Sequence, residues 1–283
     1  MYIAVASGKG GTGKTLVSTS LAASAGECTY VDLDVEAPNG SIFLKPKIER
    51  EIPYTLPVPE INEQVCTFCE KCAKSCSFNA LAIIPPVRKA MFFPDLCHSC
   101  GVCAYTCPVD GALKEVEKGI GKIRTGRSGS IKFIEGRLNV GQPSGVPLIS
   151  GIIDNYLDMD DLLFVDSSPG TSCPVVESLK KSDYVILVTE PTPFGLSDLK
   201  LTVELVKKLG KDAGIIVNKD NGRKTIIDDF SDETKIPVIL KIPYSIDIQK
   251  DYSKGIPLIE SLPRLKEKFN RMIDGITGKN ERH

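Results

Sequence analysis

Eight of the ten cysteines fall into two runs of one spacing, Cys66-x2-Cys69-x2-Cys72-x3-Cys76 and Cys97-x2-Cys100-x2-Cys103-x3-Cys107. Thiolates are soft ligands. Three at x2-x2 followed by a fourth at x3, present twice, is the spacing of a pair of [4Fe-4S] clusters in which each fourth cysteine serves the other run's cluster. On that pattern Cys66, Cys69, Cys72 and Cys107 hold one cluster, and Cys97, Cys100, Cys103 and Cys76 hold the other. Zinc is the chemical rival, because paired Cys-x2-Cys units also build tetrahedral sites.

A second chemistry-bearing motif opens the chain. Gly8-Lys9-Gly10-Gly11-Thr12-Gly13-Lys14-Thr15 satisfies G-x-x-x-x-G-K-[ST] between an apolar strand and a helical stretch, which is the context a phosphate loop requires. The glycines let backbone N–H groups converge on phosphates, Lys14 is placed to reach the β- and γ-phosphates, and the Thr15 hydroxyl is placed to ligate Mg²⁺. ATP or ADP with Mg²⁺ is therefore the expected ligand.

Lys9, a second lysine near the start of this loop, marks the deviant Walker A motif, and on these residues the chain resembles the MinD/ParA superfamily of P-loop ATPases, to which the nitrogenase iron protein belongs. The resemblance implies that Lys9 reaches the phosphates of a partner subunit in a nucleotide-sandwich dimer and stabilises charge developing in phosphoryl transfer. Asp32-Leu33-Asp34 looks like the family's switch I. By resemblance Asp34 orients or deprotonates the attacking water, and Asp32 supports the Mg²⁺ shell. Leu162 to Asp166 reads as a Walker B strand, which makes Asp166 a ligand of Mg²⁺ through water. Ser167-Ser168-Pro169-Gly170 is similar to switch II, with Ser168 departing from the usual small-Pro-Pro-Gly turn. Asn218, followed by Lys219 and Asp220, resembles the base-contacting segment, so Asn218 is expected to hydrogen-bond the adenine edge, with Pro243-Tyr244 flanking the base or packing in the core.

Other residues are ambiguous. Pro108 follows the last cysteine of the second run, whereas Ser77 stands at the matching place in the first. His98 lies between two expected ligands, as a tuning group or as a solvent-facing loop residue. Cys28 reads as a small core residue. Cys173 lies seven residues past Asp166, the offset at which the nitrogenase iron protein places a ligating cysteine. That protein supplies a second cysteine per subunit for which no equivalent stands out here. His283 is terminal. Leu262, Leu265, Phe269, Met272 and Ile276 form an i, i+3, i+4 stripe, expected to dock on the protein's own core rather than on a membrane.

The elements that must position these groups follow from periodicity. Strand-like runs at Ile3 to Ala6, Cys28 to Leu33, Leu162 to Val165, Val185 to Val188, Ile215 to Val217 and Pro237 to Lys241 alternate with helical stretches, the first from Lys14 to about Ala25. The expected fold is α/β, a doubly wound, mostly parallel sheet of the P-loop NTPase, MinD-like kind. Into it is inserted a small α+β ferredoxin domain of bacterial type. The cysteine runs repeat at an interval of 31 residues, three prolines between Ile52 and Glu60 and four glycines after Val116 punctuate the ends of the insert, and Gly119 to Val140 suggests a hairpin returning to the main sheet. The boundaries so read are 1–59 for the first part of the ATPase domain, 60–118 for the ferredoxin insert and 119–283 for the second part. The insert is too small to build much core, so its clusters should supply most of its folding energy.

Composition limits the partners. A formal net charge of −1 without a long basic run argues against duplex DNA, whose nonspecific binding depends on neutralising phosphates. No signal peptide and no stretch of about 18 apolar residues is found, so a cytoplasmic protein without a membrane span is expected. In a reducing cytosol, cysteines at these spacings serve metal ligation better than disulfides.

The resemblance to MinD-superfamily ATPases containing a ferredoxin insert covers the whole chain and includes Thr189-Glu190-Pro191-Thr192-Pro193-Phe194-Gly195. It implies an ATP-binding and hydrolysing iron-sulfur protein that couples nucleotide-driven dimerisation to electron transfer through two [4Fe-4S] clusters. The dimer is a homodimer or a heterodimer with a related ATPase, and a redox protein serves as electron donor or acceptor. The alternatives are an ATP-controlled carrier or scaffold for Fe-S clusters and a redox-sensing positioning ATPase.

Overall fold

The structure is a computed structural model that describes residues 1–278; residues 279–283, His283 among them, lie outside the described part. It divides into two compact units, one formed by Met1–Ile52, Ile123–Arg137 and the chain from Gly145 onward, the other by Pro53–Lys122 and Leu138–Ser144.

In chain order the elements are β1 (Tyr2–Ala6), α1 (Lys14–Ala25), β2 (Thr29–Asp32), α2 (Gly40–Leu44), β3 (Lys47–Ile61), α3 (Lys71–Ser75), β4 (Leu81–Ile84), β5 (Lys89–Phe92), α4 (Val102–Thr106), β6 (Leu113–Ser128) and β7 (Ile131–Leu138). They continue with α5 (Val146–Asn155), β8 (Leu163–Asp166), α6 (Cys173–Lys180), β9 (Tyr184–Thr189), α7 (Pro193–Lys208), β10 (Asp212–Asp220), α8 (Ile226–Thr234), β11 (Val238–Pro243), α9 (Ile246–Ser253), α10 (Leu258–Ser261) and α11 (Arg264–Thr277).

The strands of the first unit belong to a sheet of order β11-β10-β9-β1-β8-β2-β7-β6-β3. Neighbours from β11 to β7 pair in parallel. Helices cover both faces of a parallel sheet, so its central strands read as unbroken apolar runs, and β1 is buried along its whole length. Register aligns the chemistry: Asp32 on β2 pairs with Asp166 on β8 and with Glu135 on β7, which sets three carboxylates at one level near the C-terminal ends of adjacent strands.

Helix α1 is buried on nearly every side, including Ser18, Thr19 and Ser20. Their hydroxyls donate back to carbonyls of Thr15 and Leu16 one turn earlier, which removes the cost of burying them. Against this helix and sheet pack Leu265, Phe269, Met272 and Ile273 of α11, all buried, with Leu262 and Ile276 half-buried beside them. The C-terminal stripe thus docks on the protein's own core. Phe269 is fully enclosed, and Phe269→Ala should lower stability by about 3–5 kcal/mol. Scanning calorimetry would register this as a drop of roughly 10 °C in Tm. A shift under about 2 °C would mean that α11 contributes little. Among the described residues no helix is long and apolar enough to cross a membrane.

The prolines and glycines expected to punctuate the insert lie within strands. Pro53, Pro57 and Pro59 do not break the chain: they lie inside β3, the edge strand, where a residue without an N–H leaves no ladder bond unmade on the open side. Gly119, Gly121 and Gly126 likewise lie inside β6, and a Cβ on Gly126 would collide with the Lys47 carbonyl oxygen, so that glycine serves close approach to β3. Strands β6 and β7 form the expected hairpin through Gly129 and Ser130, and β7 joins β2.

The second unit contains the antiparallel pair β4–β5, in register from Leu81–Phe92 to Ile84–Lys89, with the short helices α3 and α4. The 31-residue repeat is structural. Phe68 and Ser99, one interval apart, both have φ near +50°, as do the residues preceding α3 and α4, Glu70 at +61° and Gly101 at +72°. Ser75 and Thr106, the repeat-related last residues of those helices, meet at 3.0 Å through their hydroxyl oxygens.

Candidate nucleotide site and cysteine cavities

The loop between β1 and α1 carries Gly8 to Thr15. Gly11 and Gly13 have φ of +82° and +95°, the left-handed region that favours glycine, and a Cβ on Gly13 would strike the Asn218 side-chain amide. Thr12 and Thr15 are buried, and Thr12 Oγ1 has no hydrogen-bond partner among the described residues. A buried hydroxyl of this kind, on a loop of converging amides, suits an anionic ligand.

Lys14 is 6% exposed, and its Nζ donates to Asp166 Oδ1 at 2.6 Å. Burial alone would pull the lysine pKa down, but Asp166 in contact, with Asp32 and Asp34 behind it, outweighs burial and pushes it up. Asp32 is fully buried and accepts backbone N–H bonds from Asp34, Asn39 and Gly40. Burial and then the Asp166 carboxylate push its pKa well up, while Lys14 opposes. The structure thus shows Asp32 shaping the loop after β2. Asp34, half-buried, has a pKa pushed up to about 6, first by burial and then by Asp166, with Lys14 pulling the other way.

Lys9 lies 3.8 Å from Asp198 and 6.0 Å from the Phe194 ring centre, both on α7, and remains 39% exposed at its side chain. Ser168 donates to the Leu33 carbonyl, and Gly170 N–H donates to Ser7, so the segment after β8 is tied to both the phosphate loop and the end of β2.

Asn218 ends in the loop rather than in solvent. Its amide donates to the Thr12 carbonyl at 2.8 Å, and its oxygen accepts from Lys219 N–H. It lines a cavity of about 220 Å³ together with Gly11, Gly13, Pro243, Tyr244 and residues of α9, notably Ile248, Gln249 and Tyr252.

In the second unit the eight cysteines divide between two cavities. One is lined by Cys66, Cys69, Cys72 and Cys107, with Phe68 and Pro108. The other is lined by Cys76, Cys97, Cys100 and Cys103, with Phe78 and His98, whose rings stack at 3.7 Å. Each cavity takes three thiols from one run and the fourth from the other. Backbone N–H groups of Phe68, Ala80 and Ser99 point at Cys66, Cys76 and Cys97 Sγ at 3.3–3.4 Å. Cys28 is buried, its thiol pushed up to about 12 by burial and by Asp161. Cys173 is exposed at the start of α6.

Residues 3–258 match the CobQ/CobB/MinD/ParA nucleotide binding domain. The chain belongs to that family. It is 31% identical over 270 residues to an uncharacterized protein of Methanocaldococcus jannaschii, covering 90% of each chain. The fold is similar to that of the Pyrococcus furiosus cell division ATPase MinD, with a TM-score of 0.59 at 17% identity over 97% of this chain and 98% of that one. It is also similar to the septum site-determining protein MinD from Pyrococcus horikoshii OT3, solved with Mg-ADP, with a TM-score of 0.56 at 18% identity over 97% and 94%.

Two features of this MinD/ParA-type nucleotide-binding domain escaped the sequence reading. Tyr30, fully buried, brings its hydroxyl within 3.4 Å of Asp166 Oδ2 and lies so close under Gly40 that a Cβ there would overlap it. Glu135, also fully buried, accepts from Arg124 at 2.8 Å and from Arg137 at 2.5 Å. A carboxylate on the inward-facing register of Ile131 and Phe133 was a visible cue. Tyr30 offered none, because a tyrosine in a buried strand is usually packing.

Proposed function

We propose that this protein is an ATP-binding and hydrolysing iron-sulfur protein in which nucleotide-driven dimerisation is coupled to electron transfer through two [4Fe-4S] clusters. The carrying observation is the division of eight thiols into two cavities of four, each with its fourth cysteine from the other run. Four thiols drawn crosswise from two runs of x2-x2-x3 spacing suit a four-iron cube better than zinc, whose paired Cys-x2-Cys units need no such exchange.

On this reading residues 60–118 act as a ferredoxin insert between ATPase segments 1–59 and 119–283, and the protein works in the cytoplasm with a redox protein as donor or acceptor. Bound in these sites, the clusters supply one-electron storage and Mg²⁺ neutralises phosphate charge. Loop amides and Lys14 would bind the phosphates, Thr15 and Asp166 would hold the Mg²⁺, and Asp32 holds the loop around them. Asn218 and Tyr244 border the base. Asp34 orients the attacking water, and Lys9, held loosely by Asp198 at 3.8 Å and by the Phe194 ring at 6.0 Å, is available to a partner subunit's nucleotide.

Oxygen-free isolation should yield about eight iron and eight sulfide per chain. Reduction potentials recorded with and without Mg-ATP should then differ at unchanged cluster content. Colourless protein lacking sulfide would exclude the clusters, and an unchanged potential would exclude the coupling. Cluster transfer to an apo-acceptor would instead indicate a carrier.

A further inference from the structure

The two cysteine cavities are near copies in their thiols and unlike in charge. Lys71 lies between Cys69 and Cys72 at the start of α3, where its N–H and its ammonium both favour a thiolate at Cys69. Arg88 holds its guanidinium 4.9 Å from the centre of the Phe68 ring, which lines the same cavity. Glu70 lines that cavity too, but its carboxylate is paired with Lys74 at 3.0 Å, so the pair adds no net charge. The other cavity is lined by Glu115, whose carboxylate has no ion-pair partner among the described residues. It reaches to 3.5 Å from where a Cβ on Gly101 would stand, between Cys100 and Cys103. The 31-residue interval shows that the two halves differ at these very positions: Val102 stands where Lys71 does in the first run, and Ile84 where Glu115 does in the second.

We propose that Lys71 and Arg88 at one cavity and Glu115 at the other set the order in which the two cluster sites take electrons, the site of Cys66, Cys69, Cys72 and Cys107 first. The proposal rests on the iron-sulfur reading above. Reduction adds one negative charge to a site, so nearby cations raise its potential and a nearby anion lowers it. One electron leaves the donor redox protein, which is oxidised by one, and reduces the site beside Lys71; no bond breaks and no proton moves. A second electron must go to the site beside Glu115. Electrons that enter beside Glu115 therefore run downhill toward Lys71.

The test is a reductive titration of the full-length holoprotein, isolated without oxygen and followed by EPR. Wild type should show two potentials at least about 59 mV apart, a roughly tenfold or greater preference for one site. Lys71→Val should lower the higher potential and leave the lower nearly in place, and Glu115→Ile should raise the lower and leave the higher. Each should change the preference about fivefold, the effect of one unit charge at close range in water. Both side chains are exposed, so neither change opens a core. If either variant loses iron, Lys71→Gln and Glu115→Gln remove the same charges and keep a polar surface. Salt gives an arm that needs no variant: the preference should shrink as the screening length falls from about 10 Å at 0.1 M to about 3 Å at 1 M. A single potential in wild type, the reverse pattern in the variants, or a preference indifferent to salt and to both substitutions overturns the proposal. Protein without iron and sulfide would sink the iron-sulfur reading with it, whereas two full clusters reduced together would sink the order alone.

Discussion

Asp34→Asn should slow ATP hydrolysis by about 10²–10⁴-fold, the usual contribution of a positioned base, while ADP affinity stays within a few-fold of wild type. Asp34 follows β2 at the level where Asp32 and Asp166 stand side by side, but unlike them it is only half-buried and has no side-chain ion pair among the described residues. A carboxylate held by a backbone N–H, that of Ala37, and not by a cation can turn toward water. Asparagine preserves its shape and removes its ability to accept a proton, and the backbone turn from Ala37 N–H to the Asp34 carbonyl does not depend on the side chain. Phosphate release and ADP titration measured on the same preparation separate chemistry from binding. Hydrolysis within tenfold of wild type would remove Asp34 from the catalytic role.

Serine substitutions should sort the cysteines by cavity and not by run. Cys76→Ser and Cys97→Ser should each cost about half the iron and leave proteins with the same EPR spectrum, while Cys66→Ser and Cys107→Ser should match one another and differ from the first pair. The basis is that Cys76 lines the cavity of Cys97, Cys100 and Cys103, and Cys107 lines that of Cys66, Cys69 and Cys72. Pairing by run, with Cys76→Ser resembling Cys66→Ser, would contradict the crossed assignment. Loss of all iron in each variant would mean that the two sites fold as one unit.

The phosphate loop was legible because its chemistry is local. Glycine φ values, the helix start at Lys14 and the apolar strand before it all follow from a dozen adjacent residues. The central strands were legible for a similar reason: buried on both faces, they leave continuous apolar runs. At the ends of the cysteine-bearing segment, prolines and glycines suggested turns, and pairing makes these stretches strands instead. An edge position accommodates Pro53, Pro57 and Pro59, and a close neighbouring strand requires Gly126.

Spacing along the chain also anticipated which cysteines line a cavity together, each fourth cysteine with the other run's first three. Contacts between distant segments were out of its reach. Lys14 and Asp166 are 152 positions apart, and Asn218 and Thr12 are 206 apart. That each of these pairs meets depends on strand order and register, which place β8 between β1 and β2 and bring the end of β10 to the loop. Residue types and short-range spacing therefore told which groups could do chemistry. Which of them meet was set by packing, because burial strengthens a charge contact that water would otherwise weaken, and burial belongs to the folded chain as a whole.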